Sequence, residues 1–250
     1  MVRGTGGPTL APDIFGRALM DWARGGTEPE IIERDDGFTD VGGGHEFYLA
    51  QFRHWPSSER QAIRYARGRV ADIGCGAGRV ALHLQGRGFD VVGLDQSPLA
   101  IRAARLRGVE QARCTSLDSL APEIGSFDTI VLFGNNFGIF GTPQRLRREL
   151  TRWARASPPG ARILAESTSP YFGGAPAVDR SFYHQNRLRG RLPGSVTLRN
   201  RYGDAVGPWF RWLFVSRKEM RTLLRGTGWR PTRILGGPPS EPYVAVLEKD

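Results

Sequence analysis

Apolar positions recur along this chain with two different periods. Near the N-terminus, over residues 12–24, Ile14, Phe15, Ala18, Leu19 and Trp22 fall at helical spacing. A second helix is expected from Ser57 and Ser58, which follow Pro56, to about residue 67, with Gly68 as its stop. From residue 69 short apolar runs alternate with helical patterns. Strands are predicted at 69–73, 90–94, 111–114, 127–133 and 161–166, and helices at 77–85, 97–107 and 143–155. This alternation is the mark of βαβ units around a parallel sheet. The unbroken run Thr129-Ile130-Val131-Leu132-Phe133 suits a strand covered on both faces.

Beyond about residue 168 the texture changes. Residues 169–207 are rich in Arg, Tyr, Asn and Gly and alternate at 195–202, which predicts antiparallel strands, with another strand at 209–215. Ser216 caps a helix through Leu224 that Gly226 and Gly228 end, and strands at 229–235 and 243–248 flank a Gly-Gly-Pro-Pro turn as a closing hairpin. The chain therefore reads as a doubly wound α/β fold. A helical lead or lid spans 1–68, and a ligand-binding α/β domain spans 69–250, with a β-rich insertion at about 168–215 before the last helix. Right-handed crossovers place the C-terminal strand ends on one edge, where ligands bind.

Composition narrows the partners. The net charge is +10 over 250 residues, which invites nucleic acid. Yet Lys218 and Lys249 are the only lysines among 35 cationic residues, and the arginines are spread along the whole chain. Their densest cluster, 145–155, falls in a helical pattern with a solvated outer face, so nucleic acid is not the favoured partner. Cys75 and Cys114 lie far apart and outside any metal spacing, and His45, His54, His83 and His184 add no ligand pattern. A disulfide framework and a metal site are not expected. Neither a membrane span nor a secretory signal is visible, residues 1–12 being Gly-, Thr- and Pro-rich, and a cytoplasmic protein is the expectation.

The chemistry concentrates in Val70-Ala71-Asp72-Ile73-Gly74-Cys75-Gly76-Ala77-Gly78-Arg79, a strand that turns through glycines into a helix. Gly74, Gly76 and Gly78 permit a tight turn and a close ligand approach, and the helix N-terminus favours a carboxylate. Asp72, at the strand end, suits a positive amine. Asp95 closes the next strand about twenty residues on, where an acid holds ribose hydroxyls. A nicotinamide dinucleotide would call for a small residue where Arg79 stands and gives no reason for Asp72.

Asp72-Ile73-Gly74-Cys75-Gly76-Ala77-Gly78 resembles the first motif of the class I S-adenosylmethionine-dependent methyltransferases. Gly93-Leu94-Asp95-Gln96-Ser97 with Pro98 resembles their second motif, and Ser126-Phe127-Asp128-Thr129-Ile130-Val131 the strand after the adenine loop. The resemblance covers about 68–167 with the closing helix and hairpin. It implies a seven-stranded, mostly parallel sheet whose last strand is antiparallel. It also implies S-adenosylmethionine as cofactor and S-adenosylhomocysteine as product. Asp72 and Gly74 would lie near the methionine end, Asp95 on the ribose and Gln96 beside the adenine, with Cys75, Gly76 and Gly78 also binding the cofactor. Where the family commonly carries an acid after the third strand, this chain has Ser116, then Leu117 and Asp118; Ser116 and Leu117 are carried over as adenine contacts. The set Arg34-Asp35-Asp36-Gly37, Tyr48, Gly134-Asn135-Asn136-Phe137-Gly138, Ala165-Glu166-Ser167 and Pro208-Trp209-Phe210 also resembles a subgroup of bacterial small-molecule methyltransferases.

Methyl transfer from a sulfonium is an in-line displacement, so such a site mainly positions and excludes water, with a base only where the acceptor must lose a proton. Asn135 and Asn136, after the fourth strand, are candidates to orient the acceptor or the methionine backbone. Glu166 is a candidate base or acceptor ligand, and Tyr48, with His45, a lid. The competing reading makes the asparagines turn residues and Glu166 a surface strand end. Asn135-Asn136-Phe137-Gly138 is not the Asn/Asp-Pro-Pro-Tyr/Phe box of base-amine methylation, and there is no Pro-Cys dipeptide after that strand, which favours a small acceptor methylated on O or N. His184 with Tyr171, Phe172, Phe182 and Tyr183 reads as an acceptor cover, where arginines would suit an anionic acceptor. An RNA or protein methyltransferase and a non-catalytic cofactor-binding module remain the alternatives.

Overall fold

The computed structural model describes residues 13–120, 124–171, 177–237 and 242–250. Phe172, the leading segment 1–12 and the Pro238-Pro239 turn lie outside the described residues. In chain order the elements are α1 (Ile14–Ala23), β1 (Ile31–Arg34), β2 (Thr39–Val41), α2 (Gly44–Tyr48), α3 (Ser57–Ala62), β3 (Val70–Ile73), α4 (Arg79–Gln85), β4 (Val91–Asp95), α5 (Pro98–Leu106) and β5 (Ala112–Cys114). They continue with β6 (Thr129–Leu132), α6 (Pro143–Ala156), β7 (Arg162–Ser167), α7 (Ala177–Leu188), β8 (Ser195–Tyr202), β9 (Ala205–Val206), β10 (Phe210–Leu213), α8 (Arg217–Leu224), β11 (Trp229–Leu235) and β12 (Tyr243–Lys249).

Seven strands form one sheet in the order β11-β12-β7-β6-β3-β4-β5. β3 pairs in parallel with both β4 and β6, whereas β12 runs antiparallel to both β7 and β11. The strand order reverses at β3, so a crevice opens at its C-terminal end. Helices cover both faces. Leu146, Leu150 and Trp153 of α6 and Met220 of α8 pack on one face; Val80 and Leu84 of α4 and Ile101 and Ala104 of α5 pack on the other. Side chains with polar termini start the helices as expected. Asp13 accepts from the N–H of Gly16, Ser97 from that of Ala100, and Ser216 closes a capping box with Glu219. At α3 the expected serine cap is absent, Pro56 standing at that position without a side-chain bond.

A second, antiparallel sheet joins the lead to the insertion, in the order β10-β8-β1-β2 with β9 on β8. The lead thus contains a strand pair besides its helices, and β1 pairs with β8 from Ile31 opposite Arg201 to Arg34 opposite Leu198. The insertion also holds a helix, α7, that the residue pattern did not announce. α1 bridges the two parts: Leu19 and Ala18 are fully buried among Ala77, Ala100, Ala103 and Tyr202. Burying Leu19 contributes about 2 kcal/mol.

Candidate active site

The glycine turn is built by hydrogen bonds from the neighbouring strand. The N–H groups of Gly74 and Cys75 both donate to the carbonyl of Leu94, at 2.7 and 3.2 Å, and Gly78 donates back to Cys75 at 2.8 Å. Gly74, Gly76 and Gly78 have φ of 68°, 54° and 79°, the left-handed region that favours glycine. At Gly74 a Cβ would also sit 2.5 Å from Nδ2 of Asn136. That amide donates to the carbonyls of Ile73 at 2.9 Å and Gly74 at 3.1 Å, so Asn136 is a buried brace for the turn. Asn135 adopts φ 62°, the turn conformation that asparagine tolerates, and its Oδ1 accepts from the Thr168 hydroxyl at 2.7 Å.

Two acids flank the turn as expected. Asp95 accepts from Gly76 N–H at 3.0 Å and from Ser97 N–H at 2.9 Å, which ties the end of β4 to the glycine loop. Asp72 is buried and accepts from Ala81 N–H at 3.2 Å. Burial pushes its carboxyl up to about 7, against the opposing pull of the Arg79 charge. Burial likewise raises Asp95.

Arg79 has a role the residue pattern did not suggest. Its guanidinium grips Glu59 of α3 with both terminal nitrogens and lies over the rings of Phe47 and Trp55. Burial works against its charge, but the bonds to Glu59 and the fields of Glu166 and Asp72 overcome this and hold it above its ordinary value. Glu166 is buried beside the same pair, bonded to Gly134 N–H and Glu59. Burial, with the adjacent Glu59 charge, raises it well above the usual carboxylate range. It braces β7 against the lead and does not line the cavity in front of it.

That cavity, about 240 Å³, opens between the glycine turn and the antiparallel sheet. Its floor is Asp72, Gly74, Cys75, Gly76, Gly134 and Asn135, and its roof is Ile32, Leu198, Asn200, Phe210, Trp212 and Phe214. The roof residues follow strand alternation, and Ile32 stands directly opposite Asn200. Tyr48 closes one side, its ring stacked on Trp22 at 5.8 Å and edge-on to Phe15 and Phe47. Burial raises its phenol above the ordinary value.

Residues 70–160 match the family model described as a methyltransferase domain. This segment carries a methyltransferase domain, and the sheet around it has the class I methyltransferase fold. A methyltransferase from Bacteroides fragilis, solved with S-adenosylhomocysteine, superposes with a TM-score of 0.77 at 24% identity, covering 96% of this chain and 98% of that one. A sugar N-methyltransferase from Streptoalloteichus shares the fold at a TM-score of 0.54 and 14% identity over 98% and 97% of the two chains. A ubiquinone biosynthesis O-methyltransferase of Xanthomonas oryzae is 37% identical over 71 residues, which span 26% of this chain and only 30% of that protein.

Within the methyltransferase domain the remaining sequence candidates separate. Leu117 is buried in the short helical turn after β5, whereas Gln96 and Ser116 are exposed, and the Ser116 hydroxyl meets that of Ser119. Asp118 turns to the outer helix and pairs with Arg145 at 3.0 Å. The expected aromatic cover is not the roof. Tyr171 is exposed and donates to Glu219, and Phe182 lies under Arg34, itself paired with Asp179 and Asp36. The expected arginine lining is not there either: Arg199 pairs with Glu33, and Arg79, the one arginine on the wall among the described residues, is held by Glu59. Glu30 was missed. Lying ahead of β1, it carries no motif, and only the pairing of β1 with β8 brings it to the cavity.

Proposed function

We propose that this protein transfers a methyl group from S-adenosylmethionine to an oxygen or nitrogen of a small, largely apolar acceptor. The carrying observation is one continuous cavity that begins at Asp72 and the Gly74–Gly78 turn and ends on an aromatic roof. The turn fits the donor: backbone amides with positive φ admit a close ligand, Asp72 suits its amine, and Asp95, at the end of β4, suits its ribose. The donor supplies an activated methyl on a sulfonium sulfur. The chain's own residues bind it, orient the acceptor and exclude water, with Phe210, Trp212, Phe214 and Tyr48 forming the dry wall. The O-methyltransferase relatives and the bound S-adenosylhomocysteine of the Bacteroides protein support this reading.

Because Glu30 and Asp72 line the cavity while Arg79 is engaged by Glu59, the lining favours neutral or cationic acceptors over anionic ones. Parallel calorimetric titrations with S-adenosylhomocysteine, S-adenosylmethionine and NAD test the donor. The first two should bind and NAD should not; binding of NAD alone would overturn the proposal. Transfer of labelled methyl to a panel of small phenols and amines then tests turnover.

A further inference from the structure

Glu30 is 1% exposed, yet one of its carboxylate oxygens lacks a partner. Oε2 accepts from the N–H of Gly44 at 3.2 Å, while Oε1 makes no hydrogen bond among the described residues. A buried carboxylate oxygen left unsatisfied is costly, and at a ligand cavity the missing donor is one a ligand can bring. Glu30 lines the cavity beside Phe47, Tyr48, Ile32 and Asn200. The chain is shaped to hold it there. Gly42 donates its N–H to the Glu30 carbonyl at 3.0 Å, and a Cβ at Gly42 would collide with the carboxylate itself. Gly42, packed against Oε1, and Gly44, which donates to Oε2, are therefore the cradle for this side chain.

We infer that Glu30 receives the acceptor, its free oxygen taking the hydrogen of a hydroxyl or amine on an uncharged aromatic molecule, while carboxylate-bearing molecules are turned away. This rests on the methyl-transfer reading above. The acceptor's proton passes to Oε1 of Glu30 as the acceptor's lone pair forms the new bond to the methyl carbon. The carbon–sulfur bond of the sulfonium donor breaks, and its electron pair stays on sulfur as a neutral thioether. Burial raises the Glu30 carboxyl above its ordinary range, which suits a proton acceptor. The other ionisable groups on the wall are Tyr48, Asp72, Cys75 and Arg79, the last paired with Glu59.

Calorimetric titration of the protein loaded with S-adenosylhomocysteine, using 2-naphthol and 2-naphthoate as probes, reads this assignment. Wild type should bind the naphthol at least about tenfold more tightly than the naphthoate. Glu30→Gln should erase that preference. So should Gly42→Ala, which displaces the carboxylate without removing it. S-adenosylhomocysteine affinity should survive in both variants, which also reports that they are folded. Equal affinity of wild type for the two probes, no binding of either, or an unchanged preference in Glu30→Gln would each overturn the assignment. If S-adenosylhomocysteine itself fails to bind wild type, the methyl-donor reading falls instead, and the naphthol preference of the bare protein still decides the role of Glu30.

Discussion

Arg79 and Glu59 meet as a two-pronged ion pair, Nη1 on Oε2 at 2.6 Å and Nη2 on Oε1 at 2.5 Å, with both side chains buried. The pair joins the first residue of α4, directly after the glycine turn, to α3 of the lead. It is one of the points at which the N-terminal segment is fastened to the methyltransferase domain, beside the packing of α1 on α5. Removing one partner strands the other charge away from water. Glu59→Ala should therefore destabilise the fold by about 3–5 kcal/mol, and the paired change Arg79→Met with Glu59→Leu should recover much of that. Urea unfolding of the three proteins measures both, and a single variant as stable as wild type would show that the clamp contributes nothing.

On the proposed donor site, Asp72 should make donor binding depend on pH. Its carboxyl is pushed up to about 7 by burial, from an ordinary value of 3.8. Only the ionised form pairs with an amine cation, so affinity for S-adenosylhomocysteine should rise with pH and level off above about 7, and Asp72→Asn should flatten the profile. Stability has the opposite sign. A folded pKa above the unfolded one favours folding fully below 3.8, and that contribution is lost as pH rises through about 7. Thermal melts of the ligand-free protein should therefore weaken over the interval in which binding strengthens.

At Asp95 both oxygens accept backbone N–H groups, which fixes the side chain at the place where the proposed donor would set its ribose. Asp95→Ala should cost about 1–3 kcal/mol of cofactor affinity, read by calorimetry.

For the glycine turn, Gly76→Val should lose donor binding mainly through backbone strain, because φ is 54° while a Cβ there meets only Leu19 at 3.6 Å. Gly74→Ala adds a clash with the Asn136 amide to the same strain. It should be the more destabilising of the two in thermal melts, by about 1–3 kcal/mol relative to wild type.

The surface charge also has an internal explanation. In the arginine cluster of α6, Arg145 and Arg148 face Asp118, Arg148 and Arg152 hold the buried Glu149, and Arg147 donates to the carbonyl of Leu223. Two carboxylates and one carbonyl thus engage four arginines of this helix, and labelled-methyl incorporation into bulk RNA should stay at background.

What the residues determined alone was local. Apolar runs bounded by glycine, and helices opened by Ser97 and Ser216, fix strands and helices through short-range sterics and capping. With the right-handed crossover they also fix the sheet edge at which Asp72, Gly74, Gly76 and Asp95 gather. Long-range pairing decided the rest. Arg79 reads in sequence as a departure from a nucleotide fingerprint, and Glu166 as either a base or acceptor ligand or a surface strand end; the fold sets Glu59 against the first and covers the second with the lead. Asn136 braces the turn through carbonyls more than sixty residues away in the chain. Glu30 belongs to the cavity because β1 pairs with β8 across roughly 165 residues, a separation at which no local spacing carries information. Burial then sets which of these acids hold their protons, and burial is a property of the assembled fold.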